Sequence, residues 1–219
     1  YRGKRGMATA LGHAPAAGII SASAGSVLSI AEALTNIVWA PLADGLRSVS
    51  LSANWMWPCR NPGEDARLFE AVKAASDFAL ALGINIPTGK DSLSMTQKYP
   101  DGQVYSPGTV IITSAAEVED IRGIVEPVLR NDESTAIIYI DMSGMEPVLG
   151  GSALAQTLNS LGNDAPTVSD PGYFAAVFEA LQIMVRERKI IAGHDISAGG
   201  MITTLLEMCF ASREGGLTV

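Results

Sequence analysis

Gly193-His194-Asp195-Ile196-Ser197-Ala198-Gly199-Gly200 is the stretch of this chain best equipped for chemistry. It sets a carboxylate, a hydroxyl and two glycines between an apolar run over 190–193 that reads as a strand and an amphipathic run over 201–211 that reads as a helix. Glycines let backbone N–H groups approach an anion closely, and a helix N-terminus favours negative charge. Asp195 can hold the divalent cation that accompanies phosphates. A plain strand–helix turn, with an aspartate near a helix start, uses the same residues, and the local sequence does not choose between the two.

Glu32 and Asn36 form a second candidate. They stand one helical turn apart, so both oxygens point the same way, and a carboxylate with an amide oxygen suits Mg2+ rather than zinc. A solvated helix face has the same spacing. Lys90-Asp91, with Ser92 and Ser94, lies in a polar segment over 87–92 that reads as a loop, where a lysine could reach a phosphate; an ordinary surface turn accounts for it equally. Gly89-Lys90 lacks the upstream glycine of a Walker loop, which excludes that motif. His13 reads as structural, and His194 either shapes the Asp195 site or packs beside it. Cys59 and Cys209 make no C-x-x-C pair and sit in no nucleophile-elbow pattern, so no disulfide framework or catalytic triad is visible. Trp55 and Trp57 read as core or interface.

These residues need a scaffold, and the patterning supplies one. A helix is expected over 26–40, with Val27, Ile30, Ala31, Leu34 and Val38 inward and Ser29, Glu32 and Asn36 outward. A strand is expected over 47–53. Asn61-Pro62-Gly63-Glu64 reads as a helix start with Asn61 as cap, followed by an apolar face of Leu68, Val72, Ala75, Phe78 and Leu82 and a terminating Gly83. Residues 110–118 read as a strand, 119–134 as a linker, 136–141 as a buried strand and 152–161 as a helix. Asp170-Pro171 opens another helix, whose basic end at Arg186, Arg188 and Lys189 suits its dipole. Strands alternate with helices on both sides of a cut near residue 120, so 1–120 and 121–219 each read as mixed α/β.

The composition fits a folded chain: 219 residues, 47% hydrophobic and 17% charged. The low charge suggests surface normally covered by other protein. A net charge of −8, with no basic cluster beyond Arg2, Lys4 and Arg5, argues against nucleic acid as a partner. No apolar stretch reaches the ~18 residues of a membrane span. The chain opens on Tyr1 rather than Met and reads as a piece of something longer.

Taken in order, Glu32-Ala33-Leu34-Thr35-Asn36, Leu51-Ser52-Ala53-Asn54-Trp55-Met56, Pro62-Gly63-Glu64-Asp65, Gly89-Lys90-Asp91-Ser92-Leu93-Ser94-Met95 and His194 to Gly200 resemble the phosphoribosylformylglycinamidine synthase family, nearly end to end. The resemblance implies an aminoimidazole ribonucleotide synthetase-like α/β fold, with an N-terminal half and a partial C-terminal half. It implies the second of two ATP-binding copies, truncated at both ends and without the glutaminase domain. It further implies that Glu32, Asn36 and Asp195 are Mg2+ ligands and that Ser197 contacts ATP or ADP; it assigns no catalytic residue. Ala198 departs from the family, which usually has an acidic residue there. The full enzyme would convert formylglycinamide ribonucleotide, glutamine, water and ATP to formylglycinamidine ribonucleotide, glutamate, ADP and phosphate in the cytoplasm, with no nucleic acid or membrane partner. The isolated piece would be inactive, would depend on the remainder of its chain, and could self-associate through an exposed sheet edge. The alternative is a structural Mg-nucleotide-holding module with no chemistry of its own.

Overall fold

The computed structural model describes residues 3–130, 132–212 and 216–218. Its main sheet is built from β1 (Gly6–Gly12), β2 (Ser50–Met56), β3 (Asn85–Ser92) and β6 (Thr109–Val118), in the order β1-β6-β2-β3. Strands β1 and β2 each pair antiparallel with β6, and β2 pairs parallel with β3. A separate hairpin joins β4 (Thr96–Tyr99) to β5 (Gly102–Tyr105). The helices are α1 (Pro15–Ile20), α2 (Ala22–Ile37), α3 (Glu64–Leu82), α4 (Ala153–Thr157), α5 (Pro171–Arg186) and α6 (Gly200–Cys209).

Helix α2 carries the first candidate residues. Ser21 caps it by accepting the Ala24 N–H at 3.2 Å, so the helix begins at Ala22, four residues before the expected start. Ile30, Ala33, Leu34 and Ile37 recur at helical spacing and are buried against the sheet. Each large aliphatic side chain gains roughly 1.5–3 kcal/mol by leaving water. Ser29, expected outside, is buried, and its Oγ donates to the Gly25 carbonyl at 2.7 Å. A hydroxyl satisfied by its own helix can enter the core.

Helix α3 starts at Glu64 rather than at Pro62, because Gly63 has φ +83° and cannot be helical. Asn61 belongs instead to a turn, its amide donating to the Pro58 carbonyl at 3.0 Å. Gly83 ends the helix at φ +69°, as expected. Ala71, Ala75, Phe78, Ala79 and Leu82 face the core, whereas Val72 is exposed. The β2–α3–β3 crossover forces a parallel pairing, so the segment expected as a loop over 87–92 is strand. Backbone pairing decides it; an edge strand tolerates the polar, exposed side chains.

Asp170 and Pro171 start α5 as expected, with the Asp170 carboxylate accepting the Tyr173 N–H at 2.9 Å. Phe174, Phe178 and Leu181 of α5 enter the same core as α2 and α3, and the Phe174 and Phe78 rings meet edge-on with centroids 5.9 Å apart. The helix expected over 152–161 shortens to α4, and Asn159 turns out of it with φ +51°. Neither expected strand over 136–141 or 190–193 forms. A buried strand needs a ladder of partners at its edges, and no described segment forms one with either run: a single backbone bond reaches Gly193, and Ile138 is 78% exposed. The segment expected as a linker is pinned down, with the Val125 N–H donating to the Trp39 carbonyl at 2.9 Å and the Leu129 N–H to the Met208 carbonyl at 3.0 Å. No helix is long and apolar enough to cross a membrane among the described residues.

Candidate metal centre

The end of β1 fixes the two candidate side chains of α2. Asn36 donates from Nδ2 to the Leu11 carbonyl at 3.1 Å, and Glu32 accepts the His13 N–H on Oε2 at 3.0 Å. These bonds bracket Gly12. A Cβ there would overlap the Ser29 carbonyl oxygen and the Ala33 nitrogen, so only glycine lets α2 lie this close to the strand. The amide orientation leaves Asn36 Oδ1 without a protein donor among the described residues. His13, read from sequence as structural, therefore serves through its backbone, a role that no side-chain pattern announces.

Asp195 arrives from the far end of the chain. Its side chain is only 9% exposed, and its charge is felt at Glu32. That electrostatic influence sets Asp195 on the Glu32 side of the molecule, while no hydrogen bond among the described residues joins its carboxylate to Glu32 or Asn36. Helix α6 holds its backbone: the Thr204 hydroxyl donates to the Asp195 carbonyl at 3.1 Å. His194 Nδ1 lies 2.8 Å from that carbonyl oxygen and 3.4 Å from Asp195 Oδ1. Nε2 of the same ring is 3.2 Å from Glu207 Oε2, a partner that sequence reading did not name. Ser197 is exposed two residues beyond Asp195, where the chain turns into α6. Its carbonyl accepts the Gly200 N–H at 2.9 Å, and its hydroxyl has no partner among the described residues. Gly200 makes that turn with φ +77°. Lys90 and Asp91 are on β3, at the opposite edge of the sheet from β1, and are not brought to this site.

Burial pushes the Glu32 carboxyl above the usual glutamate range; the His13 N–H and the His13 charge pull it down, and the Asp195 charge pushes it up. Burial likewise raises Asp195, opposed by its own N–H and by His194 and aided by Glu207. Two half-buried carboxyls that resist ionisation, beside an amide oxygen, make a set of hard donors that a divalent cation would relieve. Among the described residues, no three of His, Cys, Asp and Glu cluster as a metal site of side chains of those types alone.

A pH dependence is expected for the metal-free protein. A carboxyl raised on folding stabilises the fold in its protonated form below its unfolded value, about pH 4.3 for glutamate, and that contribution is lost as pH rises through the folded value. Glu32→Gln, which keeps an acceptor for His13, is therefore expected to raise Tm at neutral pH and to be neutral in acid. Thermal melts in chelator at both pH values check this; a lower Tm at neutral pH would contradict it.

Comparison with known proteins agrees with this architecture. The family model for the FGAR-AT PurM_N-like domain matches residues 1–117, and that for the AIR synthase related protein C-terminal domain matches 136–216. A phosphoribosylformylglycinamidine synthase from Dictyostelium discoideum is 40% identical over 222 residues, covering 98% of this chain and 16% of that protein. The chain thus spans about a sixth of that curated relative. T. maritima PurL complexed with FGAR superposes with a TM-score of 0.67 at 13% identity, over 93% of this chain and 31% of that one. T. maritima PurL complexed with ATP gives 0.60 at 13% identity, over 93% and 29%. At such low identity these structures establish the shared α/β fold. On the match of its first half to the family model and the Dictyostelium relative, the chain belongs to the phosphoribosylformylglycinamidine synthase family.

Proposed function

We propose that the full-length protein carrying this chain is an ATP-dependent ligase of purine biosynthesis. It would turn formylglycinamide ribonucleotide, glutamine, ATP and water into formylglycinamidine ribonucleotide, glutamate, ADP and phosphate, in the cytoplasm. Within it, Glu32, Asn36 and Asp195 would hold Mg2+, and Ser197 would contact the nucleotide. The observation that carries this reading is that the Asp195 charge reaches Glu32 from a segment more than 150 residues away, beside an amide oxygen with no protein donor among the described residues. The donors are all hard oxygens, which fits magnesium. Bound magnesium would neutralise phosphate charge. The chain's own groups do the positioning: the His13 N–H holds Glu32, the Leu11 carbonyl holds Asn36, and Thr204 with His194 holds the Asp195 backbone. The relatives support the substrate and the nucleotide, one having been solved with FGAR and another with ATP.

A second reading, a nucleotide-holding module with no chemistry of its own, is favoured by one feature. The proposed ligands bring oxygens but no nucleophile, and His194 beside them is turned by Nδ1 to the Asp195 carbonyl. The two halves, 1–120 and 121–219, would work only within the longer chain, and the exposed β3 edge would seek a strand of that chain or of a second copy.

The full-length protein is expected to form ADP, phosphate and glutamate in equal amounts only when formylglycinamide ribonucleotide is present. ATP hydrolysis indifferent to that substrate would overturn the proposal.

A further inference from the structure

Gln182 lies on the inward face of α5 among Phe174, Phe178, Leu181 and Val185, and it is fully buried. Its side chain accepts the Leu42 N–H on Oε1 at 2.9 Å and donates from Nε2 to the carbonyls of Val38, at 2.6 Å, and Ala40, at 3.0 Å. One amide thus satisfies three backbone groups of the turn that follows α2. A buried amide is retained at such a place only if its bonds are made, so this contact fixes the turn in one conformation.

That turn backs the candidate cation site. Trp39, between the two clamped carbonyls, puts its six-membered ring against Gly193 where a Cβ would overlap it. The Trp39 carbonyl accepts the Val125 N–H, and the next residue, Glu126, accepts the Gly193 N–H at 3.1 Å. Segments 38–42, 125–126 and 193–195 therefore form one stack, with Gln182 locking its first layer and Asp195 at the end of its last. The opposite end of the clamped segment is continuous with the α2 turn carrying Asn36.

We propose that Gln182 is a positioning residue for the cation site, holding the Trp39 platform so that Asp195 meets Glu32 and Asn36. This rests on the reading of those three residues as ligands. Groups that orient metal ligands from outside the coordination sphere typically change affinity by about 10–100-fold when lost. In the full-length enzyme, Gln182→Met keeps volume and removes all three bonds. It is expected to raise the Mg2+ concentration for half-maximal ADP retention by about 10-fold or more. Val185→Ala, a cavity on the same helix, serves as the control for lost stability alone and is expected to leave the Mg2+ requirement unchanged well below its Tm. Trp39→Leu tests the platform from its other side and is expected to reproduce the Mg2+ shift, so the question stays decidable if Gln182→Met does not fold.

Equal shifts in Gln182→Met and Val185→Ala, or no shift in Gln182→Met and Trp39→Leu while Glu32→Gln weakens retention, would overturn the positioning role alone. No effect of Glu32→Gln or Asp195→Asn would overturn the ligand reading, and the positioning role with it.

Discussion

Replacing Glu32 and Asp195 together by alanine in the full-length protein is expected to abolish the proposed retention of Mg-nucleotide at this site. Magnesium is held by one or two carboxylates with substrate phosphates supplying further oxygens. The double substitution leaves the Asn36 amide as the lone proposed protein ligand, so the loss should exceed the ~100-fold upper range seen for residues that merely orient ligands. Neither change opens a large core cavity, because Glu32 is half-buried at a helix surface and Asp195 sits in a turn. Nucleotide released on denaturing the purified protein, counted per chain, checks the expectation; unchanged content would contradict the ligand set. The same variant separates the two functional readings. If retention is lost with turnover, the site serves the reaction, and if turnover survives, the site holds nucleotide for structure.

Gly12→Ala is expected to be the most damaging single methyl in the scaffold of the site. The new carbon would overlap the Ser29 carbonyl oxygen and the Ala33 nitrogen, both backbone atoms that no rotamer change can move. Overpacking of a close-packed interior costs about 1–3 kcal/mol and occasionally more, and a backbone clash belongs at the upper end. For a chain of this size each kcal/mol lowers Tm by roughly 2–4 °C. Helix α2 would have to lift from β1, which would also stretch the Asn36–Leu11 and His13–Glu32 bonds, so Mg2+ affinity should fall along with stability. Gly102→Ala is the internal comparison: nothing lies within 4 Å of the point where its Cβ would stand, and its effect should stay within about 0.5 kcal/mol. Melting curves of the two variants decide it; equal Tm values would mean that α2 is free to shift.

Where the sequence was legible, a local rule agreed with the final packing. The apolar stripe of α2 needed only helical spacing, and Gly83 and Asp170-Pro171 marked helix ends because caps act within one turn. Glu32 and Asn36 were legible as a pair for the same reason. Strand β1 was missed because Met7-Ala8-Thr9-Ala10-Leu11 is poor in β-branched residues, and its pairing partner β6 lies about a hundred residues on. The edge strand over 87–92 was misread because its side chains are polar and exposed, while the parallel ladder to β2 is written in the backbone. The run over 136–141 misled in the opposite sense: apolar composition signals burial only when a partner exists to provide it.

In the site, what stayed hidden was whatever acts through main chain or from afar. The His13 N–H and the Leu11 carbonyl carry no residue-type signature. Gln182 did leave one, a lone amide on the apolar face of α5 between Phe178 and Val185. A polar group on a buried stripe demands partners, and following that demand leads to the turn behind Asp195. The proposed convergence of Asp195 on Glu32 is a tertiary property; the family resemblance implies it, and no spacing in the chain encodes it.

Manganese can stand in for magnesium and marks its own position by anomalous scattering. Crystals of the full-length protein grown with Mn2+ and ADP are predicted to show an anomalous peak between Glu32, Asn36 and Asp195, with its ligand oxygens at about the 2.0–2.1 Å typical of magnesium or slightly longer. Nucleotide bound with the manganese peak elsewhere, and these three side chains without a shared ion, would contradict the account.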